Sequence, residues 1–304
     1  MAGAYPRWMK TVGTILIVGC GYVGARLARQ AITQRPVLAV VRSPASAEAL
    51  DREGIAAVSV DLDLESLASV VALPADLGAV LYLAPPSGVG REDLRLAKVL
   101  DALGERRPDA LLYISTTGVY GDTGGAAVDE DSPTAPRDDR SRQRLDAERR
   151  VARWCEARGV RCVVFRVPAI YGPGRLPLDR LQRGEPVLRS EDSGPGNRIH
   201  VDDLVGACHA ALAHPVLGAF NLSDGHPETM AAFTTRVAEL AGLPRPCQLP
   251  WAEAERVLSP GLLSFLRESR LVTSRRGHEL GWTPRYGHPD DGIRASLREL
   301  GLAQ

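Results

Sequence analysis

The chain has 304 residues and equal numbers of acidic and basic side chains, so its formal net charge is zero. Hydrophobic residues make up 44% and charged residues 24%, which is typical of a globular protein and argues against a nucleic-acid or membrane-surface partner. No apolar run approaches the ~18 residues that a membrane span needs, and no signal-peptide pattern stands at the beginning. Five cysteines without a CxxC pair fit a reducing compartment, so we expect a cytoplasmic protein without a metal or disulfide framework.

The first predicted elements are a strand, a glycine turn and a helix within residues 14–31, after a short extension over residues 1–12. Aliphatic residues lead directly into Gly19-Cys20-Gly21-Tyr22-Val23-Gly24, and a helical pattern with one apolar face follows. Alone, a GxGxxG is a weak signal that a chance glycine turn would also give. Between a strand and a helix it predicts a dinucleotide-binding site.

Each glycine of this motif has a predicted mechanical role. Gly19 allows the tight turn, Gly21 lets a diphosphate approach the backbone, and Gly24 lets the helix pack close to the strand. The helix N-terminus then offers free N–H groups and a partial positive charge to the phosphates.

The second strand, Pro36–Val41, ends at Arg42-Ser43, where the ribose-reading residue of such a site is expected. An acid there would accept a hydrogen bond from the 2′-hydroxyl of NAD, and FAD sites also favour an acid. Arg42 instead favours pairing with the 2′-phosphate of NADP, so we predict NADP(H) over NAD(H). The alternative is a solvated loop arginine.

The third and fourth strands are predicted at Ala56–Val60 and Ala79–Leu83. The third is followed by Asp61-Leu62, where Asp61 either accepts from the adenine amino group or caps a helix starting near Leu64. The fourth continues into Ala84-Pro85, and the carboxyl ends of parallel strands face the ligand crevice.

Two further strands and two helices complete the predicted sheet. The strands are Leu111–Ser115 and Arg161–Val167, and the helices are Glu92–Leu103 and about Asp138–Arg158. The second helix carries a buried stripe at helical spacing, formed by Ala147, Val151, Trp154 and Cys155. Repeated strand–helix units with aliphatic strands predict an α/β fold of the Rossmann type, a doubly wound parallel sheet covered on both faces.

The pattern changes after the sixth strand, where residues 168–198 are rich in proline and glycine and are predicted as loop. A helix is predicted from the segment 197–203 to about Ala213, then a strand over 219–224 and a helix over 228–241. We assign residues 13–170, with 198–224 returning to them, to the nucleotide-binding domain. Residues 171–197 and 225–304 form a smaller C-terminal substrate lobe.

The ordered motifs VGCGYVG, ISTTGVYG, RVPAIYGPG, NRIHVDDLV, FNLSDG and LGWTPRY resemble the extended short-chain dehydrogenase/reductase family, which includes nucleotide-sugar epimerases and dehydratases. The resemblance covers nearly the whole chain. It implies an NAD(P)-binding core with a substrate lobe. The GxGxxG spacing is similar to that of the atypical branch of the superfamily. The residues expected at the cofactor are Gly19, Cys20, Gly21, Tyr22, Val23, Gly24, Arg42, Ser43, Asp61, Leu62, Leu83, Ala84, Pro85, Ser115 and Pro168.

The catalytic residues depart from the family pattern. The resemblance implies a Ser/Thr after the fifth strand, which is Thr116, and a Tyr-x-x-x-Lys pair on the next helix. Counted back from Glu148, those two positions hold Arg140 and Arg144. No tyrosine occurs between residues 120 and 171 and no lysine after Lys98, so a shifted alignment does not restore the pair.

Arginine stays protonated in proteins and does not shuttle protons near neutral pH. Arg140 and Arg144 are therefore predicted to position the ribose or an anionic substrate. The candidate proton donors are Thr116, Tyr171 and Tyr120, with Tyr171 ranked first among the tyrosines and Ser87 ranked last. His200 is expected to brace a helix start with the neighbouring acids.

Three functions are considered. The first is an atypical NADP(H)-dependent oxidoreductase acting on a small carbonyl, alcohol or imine. The second is a dinucleotide-binding sensor or scaffold without chemistry. A nucleotide-sugar epimerase or dehydratase ranks lowest, because those reactions depend on the missing tyrosine. A homodimer through the helices 92–103 and 138–158 is expected from the family.

Overall fold

The computed structural model describes residues 13–302 and places a seven-stranded, wholly parallel sheet at the centre of the protein, with strand order β11-β7-β5-β4-β1-β2-β3. The strands in chain order are β1 (Thr14–Val18), β2 (Val37–Val41), β3 (Ala56–Ser59), β4 (Leu77–Tyr82), β5 (Ala110–Thr116), β6 (Ala127–Val128), β7 (Arg161–Val167), β8 (Ala169–Tyr171), β9 (Val187–Leu188), β10 (Arg198–His200), β11 (Gly218–Asn221), β12 (Gln248–Leu249) and β13 (Leu271–Val272).

Helices cover both faces of this sheet, as the doubly wound prediction requires. They are α1 (Tyr22–Ala31), α2 (Pro44–Arg52), α3 (Leu67–Val70), α4 (Leu94–Leu103), α5 (Asp139–Arg158), α6 (Leu178–Gln182), α7 (Val201–Ala213), α8 (Met230–Leu240), α9 (Trp251–Val257), α10 (Pro260–Leu266) and α11 (Pro289–Glu299).

Alternation along β1 shows how the two faces are built. Ile15 and Ile17 belong to one hydrophobic cluster with α1, α2 and α7, whereas Leu16 and Val18 belong to a second cluster with α4 and α5. Every residue of β1 is buried, and after Thr14 the strand is aliphatic instead of alternating with polar residues. The predicted apolar stripe of α5 lies in the second cluster.

A smaller cluster of apolar residues forms the core of the C-terminal part. It joins the segment after β8 with α6, α8 and α11, and contains Tyr171, Leu176, Leu181, Phe233, Val237, Ala238, Ile293 and Leu297. Three two-stranded parallel pairs, β8 with β10, β9 with β12 and β6 with β13, connect this part to loops at the carboxyl edge of the sheet.

Several predicted boundaries differ from the structure. The helix after β3 begins at Leu67 instead of near Leu64, with Ser66 at its N-cap. Residues 198–200 form β10, so the helix predicted from the segment 197–203 begins only at Val201. The proline-rich stretch 168–198 contains short strands and a short helix because distant segments supply their partners. Between residues 13 and 302, no helix is both long and apolar enough to cross a membrane.

Candidate functional site

The glycine turn between β1 and α1 has the geometry that the motif predicts. Gly19 has φ +84°, and a Cβ there would lie 2.4 Å from the backbone nitrogen of Ala84. A Cβ on Gly24 would lie 3.2 Å from Ile17 Cγ2, which confirms close packing of helix on strand. At Gly21, by contrast, a Cβ would meet nothing within 4 Å, so open space lies against the backbone there.

The amides of this turn divide into two groups. Those of Gly19 and Cys20 donate to the Val40 carbonyl at 2.9 and 3.0 Å, and that of Gly21 donates to the Gly19 carbonyl at 2.8 Å. The amides of the first turn of α1, starting at Tyr22, have no carbonyl four residues back within the helix. They are the donors that the turn leaves for a phosphate. Burial raises the pKa of the Cys20 thiol to about 12, so this cysteine is not a reactive thiolate.

A cavity of about 300 Å³ opens beside the turn at the carboxyl edge of β1–β4. Its lining residues are Gly19, Cys20, Gly21, Val40, Val41, Arg42, Ser46, Val60, Asp61, Leu62, Ala84, Pro85 and Arg95. Eight of the predicted cofactor residues are therefore brought together here. The others, Tyr22, Val23, Gly24, Ser43, Leu83, Ser115 and Pro168, lie outside the lining of this cavity. Its open backbone at Gly21 and its apolar strand ends fit a dinucleotide.

Arg42 and Asp61 face each other at the rim of this cavity, with Arg42 Nε 3.2 Å from Asp61 Oδ2. The Arg42 side chain is 73% exposed, so this pair holds it only weakly. Asp61 accepts from the Asp63 amide at 3.0 Å and does not cap a helix, which removes one of its two predicted roles. Ser43 caps α2, and its hydroxyl lies 2.9 Å from that of Ser46.

Arg95 of α4 is a cavity residue that the sequence did not reveal. Its guanidinium donates to the Pro85 carbonyl at 2.8 Å and pairs with Asp63. Nearby, Lys98 donates to the Leu62 carbonyl at 2.7 Å, so this lysine braces the loop after β3. Both residues approach the crevice only because α4 crosses beside it, which no local pattern indicates.

Thr116 ends β5 and, unlike Tyr120 and Tyr171, is not buried. Its side chain is half-buried and accepts from the Gly118 amide at 3.1 Å, which caps the short 3-10 turn over Thr117–Tyr120. The hydrogen of the Thr116 hydroxyl takes no part in this bond and is available for donation to another group. Thr116 therefore combines a fixed position with a free donor at a strand's carboxyl end.

The two arginines of α5 differ in their surroundings. Arg144 is buried, and its Nη1 donates to the Ile114 carbonyl at 2.6 Å while its guanidinium lies against the Tyr113 ring. This interaction fixes the position of the guanidinium beside the end of β5. Arg140, one turn earlier, is exposed and lines neither the cavity beside the glycine turn nor the one in the C-terminal part, so its predicted role in positioning ribose or substrate stays a prediction.

A buried polar network lies beneath Thr116 and includes two of the predicted site residues. Ser115 donates to Glu148, which forms an ion pair with Arg166 at 2.8 Å. Arg166 donates to the Tyr120 hydroxyl at 2.9 Å, and that hydroxyl donates to Asn221 at 2.8 Å. Burial alone would lower the pKa of Arg166, but the hydrogen bonds and charge of Glu148 and the contact with Tyr120 raise it above its ordinary value.

This network corrects the expectation for Tyr120 and Ser115. Tyr120 is 2% exposed, its hydroxyl is fully used, and burial raises its pKa. Ser115 is 4% exposed and directed at α5. Both side chains tie α5, β5 and β7 together, so neither hydroxyl is available to a substrate.

Tyr171 is also placed differently from the prediction. Its side chain is 3% exposed, and its ring packs edge-on against His200 and Phe233 at centroid distances of 5.2 and 5.4 Å. A Cβ on Gly292 would lie 2.4 Å from the hydroxyl, so the hydroxyl faces α11. Burial raises its pKa well above the ordinary value. The geometry makes Tyr171 a structural aromatic residue instead of a proton donor.

His200 has the bracing role that was expected. Its Nδ1 accepts from the Asp202 amide at 3.2 Å, which caps α7, and its Nε2 lies 3.1 Å from the Ser296 hydroxyl of α11. Asp203 accepts from the backbone amides of Arg285 and Tyr286. This histidine is 1% exposed and has a structural role.

Gln143 is another residue whose role the sequence does not indicate. It is fully buried, and its Nε2 donates to the Val89 carbonyl at 2.6 Å. Its Oε1 accepts from the Gly88 amide at 3.2 Å. The side chain thus holds the loop between β4 and α4, which begins with the cavity residues Ala84 and Pro85.

A second cavity of about 210 Å³ lies in the C-terminal part, next to the segment that follows β7. Its wall includes Ile170, Tyr171, Met230, Phe233 and Leu266, together with the three arginines Arg175, Arg180 and Arg198 and two glutamates. It lies where the substrate lobe was predicted, and its wall is mostly apolar with charges at its edge.

Comparison with known proteins identifies the family. A model described as the NAD dependent epimerase/dehydratase family matches residues 15–223. The chain belongs to this family. A relative from Streptomyces sp, the 3-diazoavenalumate denitrifying reductase, is 28% identical over 92% of this chain and 97% of its own length.

Solved structures share the fold. A functionally unknown conserved protein from Silicibacter pomeroyi is 30% identical, with a TM-score of 0.82 covering 95% of this chain and 99% of that one. UDP-glucuronic acid 4-epimerase from Bacillus cereus, solved in complex with NAD, is 17% identical with a TM-score of 0.75, covering 94% of this chain and 99% of its own. At that identity the second comparison shows the fold alone.

Proposed function

We propose that this family member is an atypical NADP(H)-dependent oxidoreductase that acts on a small organic carbonyl, alcohol or imine without a Tyr-x-x-x-Lys pair. The observation that carries the proposal is the open space against Gly21, flanked by the first-turn amides of α1 and by a cavity of about 300 Å³ at the strand ends. The Streptomyces relative, named a reductase, is matched over most of both chains and supports a redox role.

The preference for NADP(H) follows from the residues after β2. Arg42 is largely exposed at the cavity rim, and the hydroxyls of Ser43 and Ser46 lie at the N-terminus of α2. Together they offer a guanidinium and two hydroxyls to a 2′-phosphate. Neither residue that directly follows β2 is an acid that could accept from a 2′-hydroxyl, and the Asp61 carboxylate beside them is paired with Arg42.

The chemistry expected of the site is a hydride transfer that the bound nicotinamide supplies. Thr116 would donate a hydrogen bond to the substrate oxygen or nitrogen and orient it. Arg144, fixed on the Ile114 carbonyl, would place positive charge near the end of β5 and stabilise charge that develops there. Because Arg144 stays protonated and both candidate tyrosines are buried, the proton that completes a reduction would come from solvent.

Calorimetric titration of the purified protein with NADPH and NADH tests the cofactor assignment. We expect NADPH to bind more tightly, and Arg42→Ala to weaken NADPH about tenfold or more while changing NADH little, as for loss of a charge-assisted hydrogen bond. Arg52→Ala, at an exposed position late in α2, is the matched control. Equal losses for both dinucleotides in Arg42→Ala would contradict the 2′-phosphate assignment.

A substrate screen at 340 nm across carbonyl and imine libraries tests catalysis. We expect turnover with NADPH, and a loss of kcat/KM of about tenfold in Thr116→Val, the size expected for one hydrogen bond to the reacting group. Tight NADPH binding without turnover in any library would argue against an enzyme.

The second candidate function is a dinucleotide-binding sensor without chemistry. It is favoured by one observation, that both tyrosines considered as proton donors, Tyr120 and Tyr171, are buried. A sensor predicts that Thr116→Val keeps the cellular role while Gly21→Val abolishes it. An enzyme predicts that both variants lose that role. An epimerase or dehydratase activity stays the lowest-ranked hypothesis because α5 carries no tyrosine.

A further inference from the structure

The second cavity has an unequal charge balance among its lining residues. Arg180 pairs with Glu185 at 2.8 Å, Glu228 pairs with Arg236 at 3.3 Å, and Glu268 pairs with Arg270 at 2.8 Å. These side chains therefore have a partner outside or at the edge of the cavity. The guanidinium groups of Arg175 and Arg198 take part in none of these three ion pairs.

Arg198 is satisfied by its buried surroundings. It is 8% exposed, its Nη1 donates to the Glu228 carbonyl at 3.1 Å, and its guanidinium carbon lies 4.3 Å from the centroid of the Phe233 ring. Burial lowers its pKa from the ordinary value, and nearby acids oppose that shift. Arg198 thus forms part of the cavity wall.

Arg175 differs from both of the other arginines. It is exposed, it lines the cavity, and within residues 13–302 no carboxylate lies within 4.0 Å of its guanidinium. Residues 1–12 contain no acidic side chain that would fill this role. A cation that borders an apolar cavity without a carboxylate partner is an available anion-binding group.

The Arg175 side chain is nevertheless held in place. Its guanidinium carbon lies 4.2 Å from the centroid of the Tyr22 ring, a cation–π geometry. The Tyr22 hydroxyl donates to the Pro173 carbonyl at 2.9 Å, and a Cβ on Gly172 would lie 2.6 Å from that hydroxyl. The loop that carries Arg175 is therefore docked on the residue that follows the glycine turn.

We propose that Arg175 binds the anionic group of the second substrate, a carboxylate or phosphate, whose apolar body fills the cavity against Ile170, Met230 and Phe233. The substrate class is thus an organic acid with an apolar body. The proposal rests on the proposed function in one respect: the dinucleotide diphosphate occupies the first turn of α1 and leaves Arg175 to the substrate. Tyr22 then connects the two sites, because its amide belongs to the first turn of α1 and its ring packs against the Arg175 guanidinium.

The experiment is ligand-detected NMR with matched pairs of probes, cinnamate with cinnamamide and octanoate with octanamide, on full-length protein with and without saturating NADP⁺. We expect each carboxylate to bind about tenfold more tightly than its neutral amide, as for one charge-assisted hydrogen bond. Arg175→Met removes this difference and Arg175→Lys keeps part of it. Arg183→Met, a surface arginine on the same segment, leaves the difference unchanged.

Other outcomes overturn the proposal. They are binding of neither carboxylate at millimolar concentration, no difference between acid and amide in the wild type, or a difference that persists in Arg175→Met. If Arg175→Met weakens NADP⁺ instead and leaves cinnamate binding unchanged, then Arg175 contacts the cofactor diphosphate and the substrate assignment is wrong. The arm without NADP⁺ does not require turnover or cofactor, so failure of the proposed oxidoreductase would show separately.

Discussion

Two glycines in one motif have different physical tasks. Gly19 is required by the fold, since its φ is +84° and a side chain would meet the backbone of Ala84 at 2.4 Å. Gly21 has a negative φ of −92°, and a Cβ there would meet open space. Of these two glycines, only Gly21 borders space that no atom of residues 13–302 occupies.

We therefore expect Gly19→Ala and Gly21→Val to separate stability from binding. Gly19→Ala should lower the free energy of unfolding by at least about 1–3 kcal/mol, the cost of a strained positive-φ residue. Gly21→Val should keep the thermal unfolding temperature close to wild type and abolish measurable NADPH binding, because its side chain would occupy the diphosphate space. Calorimetry and thermal unfolding check both variants. Normal NADPH affinity in a folded Gly21→Val would refute the cofactor site.

Residue roles were predictable where the signal is local. The three glycines follow from spacing within six positions, and the structure shows the tight turn at Gly19, close helix packing at Gly24 and open space against Gly21. The burial of Tyr171 does not follow from the sequence, because its neighbours His200, Phe233 and Gly292 come from segments far away in the chain. Its position in the sequence predicts a site at the mouth of a loop, whereas in the structure its ring packs in the core of the C-terminal part.

At the level of elements, α5 does more than cover the sheet. Its buried Gln143 hydrogen-bonds three consecutive residues of the loop between β4 and α4: the Val89 carbonyl at 2.6 Å, the Gly88 amide at 3.2 Å and the Ser87 hydroxyl at 3.4 Å. This loop has two glycines with positive φ and therefore has little rigidity of its own. The helix supplies the restraint.

We expect Gln143→Met, which keeps the length but removes both hydrogen-bonding ends, to release this loop. Amide hydrogen exchange over residues 87–90 should quicken about tenfold, as for loss of roughly 1.4 kcal/mol of local protection. NADPH affinity should fall, while the unfolding temperature changes little. Gln182→Met, at an exposed position of α6, is the control. Unchanged exchange in Gln143→Met would mean that the loop is held by its own backbone.

The elements themselves were largely evident from the sequence because the sheet strands are continuous aliphatic runs and the long helices have regular apolar stripes. The short strands were not, since β8 and β10 pair only with each other over three residues. Their hydrogen-bond partners lie about thirty residues apart, and no period of two is visible in so short a segment. For the same reason the sequence predicts too early a start for α7, which begins at Val201 after β10.

At the scale of the whole molecule, His200 connects the central sheet region with the C-terminal part. It ends β10, caps α7 through the Asp202 amide and contacts Ser296 of α11. The ring is also packed against Tyr171 and Tyr286. Burial lowers its pKa from 6.5 to about 4, although Asp202 opposes the shift, so the folded protein holds this histidine neutral.

This lowered pKa predicts a loss of stability in acid. The unfolded chain takes up the His200 proton first, so the free energy of unfolding should fall as the pH drops from about 6.5 towards 4, by up to about 3 kcal/mol from this group. Denaturant unfolding between pH 7.5 and 4.5 checks this. His200→Asn, which keeps a capping side chain but does not titrate, should be less stable at pH 7.5 and should lose less on acidification. His278→Asn, at an exposed histidine, should keep the wild-type slope. A His200→Asn slope equal to that of the wild type would show that His200 does not couple the fold to pH, and that another group whose pKa the fold lowers, such as the partly buried His209, governs the response instead.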